Sequence, residues 1–176
     1  MLLAIAGRAH SQVPADEAQI KAAFVYNFLK FVDWPESAVR RSDDPLVVAI
    51  IGEGSTADAV AALLATKRVG DRPIVIRHLT WDQPLAGIQA AFISEGDSKR
   101  LRRVFDAAAG AAVLSIGETY GFASHGGVIG LLVDERKVRF DIDTDAADAA
   151  RLHISSKLLA LGRIVHAGKT SVGETP

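Results

Sequence analysis

The sequence predicts an α/β protein with three layers (α/β/α), in which helices cover a mostly parallel sheet that ends in an antiparallel hairpin. Apolar, strand-like runs alternate with helical segments from about residue 16 to residue 116. The first run, LVVAII at residues 46–51, is unbroken and rich in β-branched residues, which is typical of a strand buried on both faces. Two further apolar runs flank a charged turn at residues 134–137, which indicates a hairpin.

Composition favours an ordinary globular protein. The chain has 176 residues, 49% of them hydrophobic, and a formal net charge of −1, so its electrostatics give no general reason to expect nucleic acid binding. Cysteine is absent, which excludes thiol chemistry, cysteine zinc sites and disulfides. We expect one domain over residues 16–168 and a tail over 169–176. Residues 1–15 are expected to be either a residual signal peptide or a disordered terminus.

The first half of the domain is predicted to begin with a helix from Asp16 to Val32, stopped by Trp34-Pro35. Its aromatic residues belong either to the core or to a partner surface. After the first strand, the glycine-rich turn at residues 52–55 either binds an anion or leads into a helix capped by Ser55 with Asp58. Further strands are predicted at 73–79, 90–94 and 112–116, with a helix from Asp97 or Ser98 to Ala109 before the last of them.

The second half is predicted to contain the hairpin of residues 128–133 and 138–142, followed by a helix that Thr144 or Asp145 caps. An apolar stripe then continues at helical spacing as far as Gly168, which predicts a long amphipathic C-terminal helix. The members of the stripe are Ile154, Leu158, Leu161 and Val165.

No catalytic set or metal site emerges from the residues. None of the five histidines has a metal-ligand spacing to another histidine or to a carboxylate. The alternating Asp141, Asp143 and Asp145 resemble part of a calcium loop, but the glycine and the distal glutamate of such a loop are missing. A strand end followed by a helix cap explains these aspartates better. We therefore expect no metal, no cofactor and no enzymatic activity.

Two groups of residues are candidates for ligand or partner binding. The first is the glycine-rich loop with Tyr120, Phe122 and His125, which forms either a ligand lip or a conformationally demanding turn. The second is Arg151, His153 and Arg163, which could hold a carboxylate or phosphate group or could form ordinary salt bridges.

Several motifs, in this order, resemble the YfiR-like family over about residues 18–165. They are AAFVYNF (22–28), FVDWP (31–35), GDRPI (70–74), AFIS (91–94), GFA (121–123), GGVI (126–129) and ISSKLL (154–159). The resemblance implies a periplasmic α/β domain without catalysis. It also implies a homodimer and a small-molecule ligand near the C-terminal segment, for which Arg151, His153 and Arg163 are the pocket candidates.

The resemblance further implies that the protein binds the periplasmic part of an inner-membrane diguanylate cyclase and represses it, which controls cyclic di-GMP and biofilm formation. An outer-membrane lipoprotein is the second partner that it implies. The alternative function is a small-molecule sensor domain acting on another receptor, such as a histidine kinase. One departure concerns redox control: relatives often carry cysteines, and Gln89 stands where one is common.

Overall fold

A computed structural model describes residues 15–39, 41 and 43–168. The predicted signal or disordered segment (1–15) lies outside these residues except for Ala15, which begins the first helix, and the predicted tail (169–176) lies outside them entirely. In chain order the elements are α1 (Ala15–Lys30), β1 (Val32–Asp33), β2 (Leu46–Ile51), α2 (Ser55–Leu64), β3 (Arg68–Val69), β4 (Arg72–Leu79), β5 (Ala90–Ile93), α3 (Ser98–Ala111), β6 (Leu114–Gly117), β7 (Ile129–Asp134), β8 (Lys137–Asp143), α4 (Thr144–Ala149), β9 (His153–Ile154), α5 (Ser156–Leu159) and β10 (Arg163–Val165).

The main sheet has the strand order β10-β8-β7-β6-β5-β2-β4-β3. The pairs β4-β2, β2-β5, β5-β6 and β6-β7 are parallel, and β7-β8 is the antiparallel hairpin. The short strand β10 lies outside the hairpin, parallel to β8. The three-layer α/β/α prediction with a mostly parallel sheet is therefore confirmed, and the hairpin is followed by one further strand at that edge.

Alternate residues of the central strand β2 enter two different apolar clusters. Leu46, Val48 and Ile50 pack with α1 and α2 on one face of the sheet. Ala49 and Ile51 pack with α3 on the other face. A strand buried on both faces needs apolar residues at every position, which explains why LVVAII shows no polar alternation.

The helix predicted to reach Val32 ends instead at Lys30. Val32 and Asp33 form β1, which pairs antiparallel with Ile154 and His153 of β9 in a separate two-stranded sheet. Ser155 N also donates to Phe31 O at 2.9 Å. The chain thus leaves the helix because a distant segment supplies hydrogen-bond partners at this point.

The predicted long C-terminal helix is wrong. The segment contains α4, β9, the single-turn helix α5 and β10 instead. Arg151 adopts a left-handed conformation (φ 55°) just after α4, and Ser155 caps the new helix α5. Leu161, expected on an apolar stripe, is 77% exposed. The apolar residues at helical spacing belong instead to short separate elements, of which β9 pairs with β1 and β10 pairs with β8.

Two helix caps differ from the prediction and one agrees with it. Gly54, rather than Ser55, is the N-cap residue of α2, and no side chain caps this helix. Asp143, rather than Thr144 or Asp145, caps α4 by accepting hydrogen bonds from two backbone N–H groups. Asp97, one of the two predicted cap residues, caps α3 by accepting from Arg100 N.

Gln89 acts as a hydrogen-bonding hub between the sheet and the segment after β1. Its Oε1 accepts from Val47 N at 2.8 Å, and its Nε2 donates to Ala38 O at 3.0 Å. Its carbonyl oxygen accepts from Trp34 Nε1 at 2.7 Å. Gln89 therefore ties three chain segments together.

Candidate functional site

A polar cleft lies where the central parallel strands end. We call it the carboxyl-edge cleft; it has a volume of about 680 Å³ and its lining residues are Lys21, Glu95, Gly96, Asp97, Arg100, Glu118, Thr119 and Tyr120. Most of them follow β5 or β6 directly in the chain. The chain runs from β2 outward to β4 and then crosses back to β5, so a topological switch point lies between β2 and β5. In open α/β sheets, ligands bind outside the carboxyl ends of strands at such a point, and the cleft lies next to it, at the ends of β5 and β6.

A buried lysine that lines the cleft forms ion pairs with two glutamates. Lys21 of α1 is only 5% exposed, and its Nζ lies 2.7 Å from Glu17 Oε1 and 2.9 Å from Glu118 Oε2. The hydroxyl of Thr56 in α2 donates to the same Glu118 oxygen at 3.0 Å. This network joins α1, α2 and the segment after β6, so it fixes the relative positions of the elements around the cleft.

The network predicts a loss of stability at alkaline pH. Burial lowers the pKa of Lys21, but its hydrogen bonds and charge pairing with Glu17 and Glu118 outweigh this effect and leave the pKa above 10.5. A group whose pKa is raised on folding stabilises the native state while it is protonated. The stabilisation should therefore be complete below about pH 10 and disappear as pH rises through the raised pKa of Lys21.

Denaturant unfolding at a series of pH values from 8 upward measures this dependence. The Lys21→Met variant is the control, because it lacks the titrating group and should show a smaller decrease over the same range. Equal decreases in the two proteins would contradict the assignment to Lys21.

The three candidate binding residues predicted in the glycine-rich loop lie in three different environments in the structure. Tyr120 is 95% exposed and lines the carboxyl-edge cleft. Phe122 is 1% exposed and packs edge-on against Phe105, with ring centroids 4.9 Å apart, so it is a core residue and not part of a surface lip. His125 lines a different cavity of about 260 Å³ between α3 and α4, and its Nδ1 lies 2.6 Å from Gly121 O.

The second predicted group is also dispersed over several elements. Arg163 lies on β10 and forms two hydrogen bonds of 2.8 Å to Asp141 of β8, which is the salt-bridge alternative. His153 lies exposed on β9, and Arg151 lies exposed in the turn before it. None of the three lines either described cavity.

The alternating aspartates are occupied by structural contacts. Asp143, Asp145 and His166 could offer oxygen and nitrogen ligands within 4.8 Å of one another. However, Asp143 is buried and accepts from three backbone N–H groups, those of Asp145, Ala146 and Ala167, and His166 Nδ1 lies 3.0 Å from Asp145 Oδ2. This agrees with the interpretation of a strand end and helix cap.

Comparison with known protein families tests the family resemblance that the sequence motifs indicated. The YfiR/HmsC-like family model matches residues 18–163. The chain belongs to the YfiR/HmsC-like family. No curated protein matches the sequence significantly.

The YfiR/HmsC-like family is regulatory and non-catalytic, and it is known for periplasmic regulation of a diguanylate cyclase. Among the described residues, no helix combines the length and apolar character that a membrane span requires.

Sequence reasoning missed most of the residues that form this cleft. Lys21 lies on a helix that reads as mainly apolar, and only Glu17, four residues earlier, signals a pair on one helix face. Glu118 is 97 residues away from Lys21, so no local spacing could have revealed their contact.

Proposed function

We propose that this protein is a non-enzymatic periplasmic regulator that binds the periplasmic part of an inner-membrane diguanylate cyclase and represses it. The observation that carries the proposal is the family match over residues 18–163. Repression would lower cyclic di-GMP and biofilm formation. An outer-membrane lipoprotein that binds the regulator would relieve this repression, and the regulator would act as a homodimer.

The mechanism is differential binding to two states of the cyclase. A regulator shifts a conformational equilibrium only by the difference between its affinities for the two states. To move a cyclase from about 99% active to about 99% inactive, it must bind the inactive state about 10⁴-fold more tightly. A rigid surface favours such discrimination, and the buried Lys21 network braces the elements beside Tyr120.

Tyr120 is the leading contact residue in this proposal. Its ring is almost fully exposed, and it stands at the rim of a polar cleft. Tyrosine is enriched among the residues that contribute most to binding at protein interfaces, because it offers a large contact area with a polar tip. Arg151 and His153, both exposed, are further candidate contacts.

Cyclic di-GMP synthesis tests the proposal in membranes that contain the partner cyclase. Adding the wild-type protein should lower synthesis, and Tyr120→Ala should weaken the repression at least about tenfold, as removal of an interface anchor does. Val75→Ala, which alters an exposed apolar residue of β4, is the control and should repress like wild type. Unchanged synthesis on adding the wild-type protein would refute the repressor function.

A further inference from the structure

The N-terminus of α2 presents backbone donors without an acceptor in the helix. The first helical hydrogen bond runs from Asp58 N to Gly54 O at 3.0 Å, so the N–H groups of Ser55, Thr56 and Ala57 have no helical partner. Gly54, the N-cap residue, has no side chain to accept from them. The N-terminus of α3 differs, because the Asp97 carboxylate accepts from Arg100 N there.

A buried hydroxyl group lies beside the loop that leads into α2. Ser94 follows β5 and is 1% exposed, yet its Oγ has no hydrogen-bond partner among the described residues. Its Oγ occupies the space that a side chain on Gly52 would take, so the hydroxyl points into the loop of residues 52–54. Buried polar atoms are nearly always hydrogen-bonded in native proteins, and an exception calls for a partner.

Two of the three loop residues are glycines in conformations that suit glycine, and the exposed Glu53 stands between them. Gly52 has φ +91° and Gly54 has φ +133°, and side chains are disfavoured at both positions. A Cβ on Gly54 would meet nothing within 4 Å, which leaves space in front of the helix N-terminus. The loop follows β2, and Ser94 follows β5, so both stand at the switch point of the sheet.

The charges nearby limit the kind of group that could bind. Helix N-termini favour anions because their N–H dipoles align. However, Glu118 accepts from Thr56 Oγ1, and Lys21 is shared between Glu118 and Glu17, so these three side chains together carry a net charge of about −1. Glu53 in the loop and Asp58 in the first turn of α2 add two further carboxylates. A singly charged oxyanion meets less repulsion here than a dianion does.

We propose that residues 52–57 and Ser94 bind the singly charged oxyanion group of a small molecule, a carboxylate or a monoprotonated phosphate. The N–H groups of Ser55, Thr56 and Ala57 and the Ser94 hydroxyl are the donors. This site goes beyond repression of a cyclase, which needs no small ligand. It lies beside the carboxyl-edge cleft, to which Thr56 is linked through Glu118.

Amide NMR titration of the full chain tests the site. Sodium formate and sodium phosphate at about pH 6.5 are the two probes, each at ionic strength held constant with sodium chloride. We expect saturable shifts of the amides of residues 55–57 with at least one probe. The amides of residues 98–100, at the N-terminus of α3 that Asp97 caps, are the internal control and should not show saturable shifts.

Ser94→Ala should weaken binding about fivefold, the loss expected for one hydrogen bond to a ligand. Ser98→Ala, at an exposed serine that begins α3, is the matched control and should bind like wild type. Saturation by formate alone assigns a carboxylate ligand, and saturation by phosphate alone assigns a phosphate ligand.

Shifts that rise linearly with both probes, or that are equal at residues 98–100, would overturn the proposal. Binding to Ser94→Ala with wild-type affinity would overturn the role of the hydroxyl. The wild-type amide pattern decides the existence of the site even if the variant does not fold.

Discussion

Replacing Phe122 with alanine should lower the free energy of unfolding by about 3–5 kcal/mol. The ring is 1% exposed and packs edge-on against Phe105. It also fills the space above Gly117 and Gly127, where a Cβ on either glycine would overlap the ring. Alanine would leave a cavity bordered by two residues that have no side chain to fill it. Denaturant unfolding of the two proteins measures the difference.

Tyr120→Ala is the matched control for this prediction, because it removes an aromatic ring from the same loop. Tyr120 is 95% exposed, so its loss should change stability by no more than about 0.5 kcal/mol. Equal effects of the two substitutions would contradict the assignment of Phe122 to the core and Tyr120 to the surface.

Replacing Lys21 with methionine should lower the free energy of unfolding by about 3–5 kcal/mol, as expected when one partner of a buried ion pair is removed. Methionine keeps the length of the side chain but leaves Glu118, whose side chain is 13% exposed, without its cation. Thr56 Oγ1 alone would then hydrogen-bond to that carboxylate. Chemical denaturation measures the loss.

Two further variants separate the ion pair from general effects of the substitution. Lys30→Met changes an exposed lysine of the same helix, whose ammonium lies 4.8 Å from the Tyr26 ring, and should cost less than about 1 kcal/mol. Adding Glu118→Gln to Lys21→Met should recover part of the loss, because the uncompensated charge is removed. A double variant less stable than Lys21→Met alone would argue against this explanation.

The layered α/β architecture could be predicted because it depends on local patterns. The unbroken apolar run of β2 and the charged turn predicted at residues 134–137 are readable without knowledge of distant contacts, and the structure narrows that turn to two residues because Asp134 pairs with Lys137. Glu135 and Arg136 both have positive φ in that turn (47° and 62°), as a type I′ hairpin turn requires. The charged turn was identified even though its sequence lacks the usual asparagine or glycine.

The segment after α4 could not be predicted in the same way. Ile154 and Leu158 lie at helical spacing, yet Ile154 pairs with Val32 of β1 and only one turn of helix surrounds Leu158. Gly162 lies where a side chain would overlap Phe140 and approach Ile142 of β8. Helical spacing was a misleading signal because pairing with β1 and β8 supplied alternative hydrogen bonds.

The fold class, the hairpin, a helix cap at Asp97 or Ser98 and the family relationship could all be predicted from the sequence, since each depends on local periodicity, turn chemistry or ordered motifs. Which candidate residues face solvent and which face the core depends on contacts between distant segments, as Tyr120 and Phe122 illustrate. The same holds for the Lys21–Glu118 pair and for the Ser94 hydroxyl, which has no hydrogen-bond partner in the part of the chain that the structure describes. The physical reason is that buried charges and hydroxyl groups are satisfied by residues far apart in the chain, so their environment exists only once the sheet has brought its strand ends together.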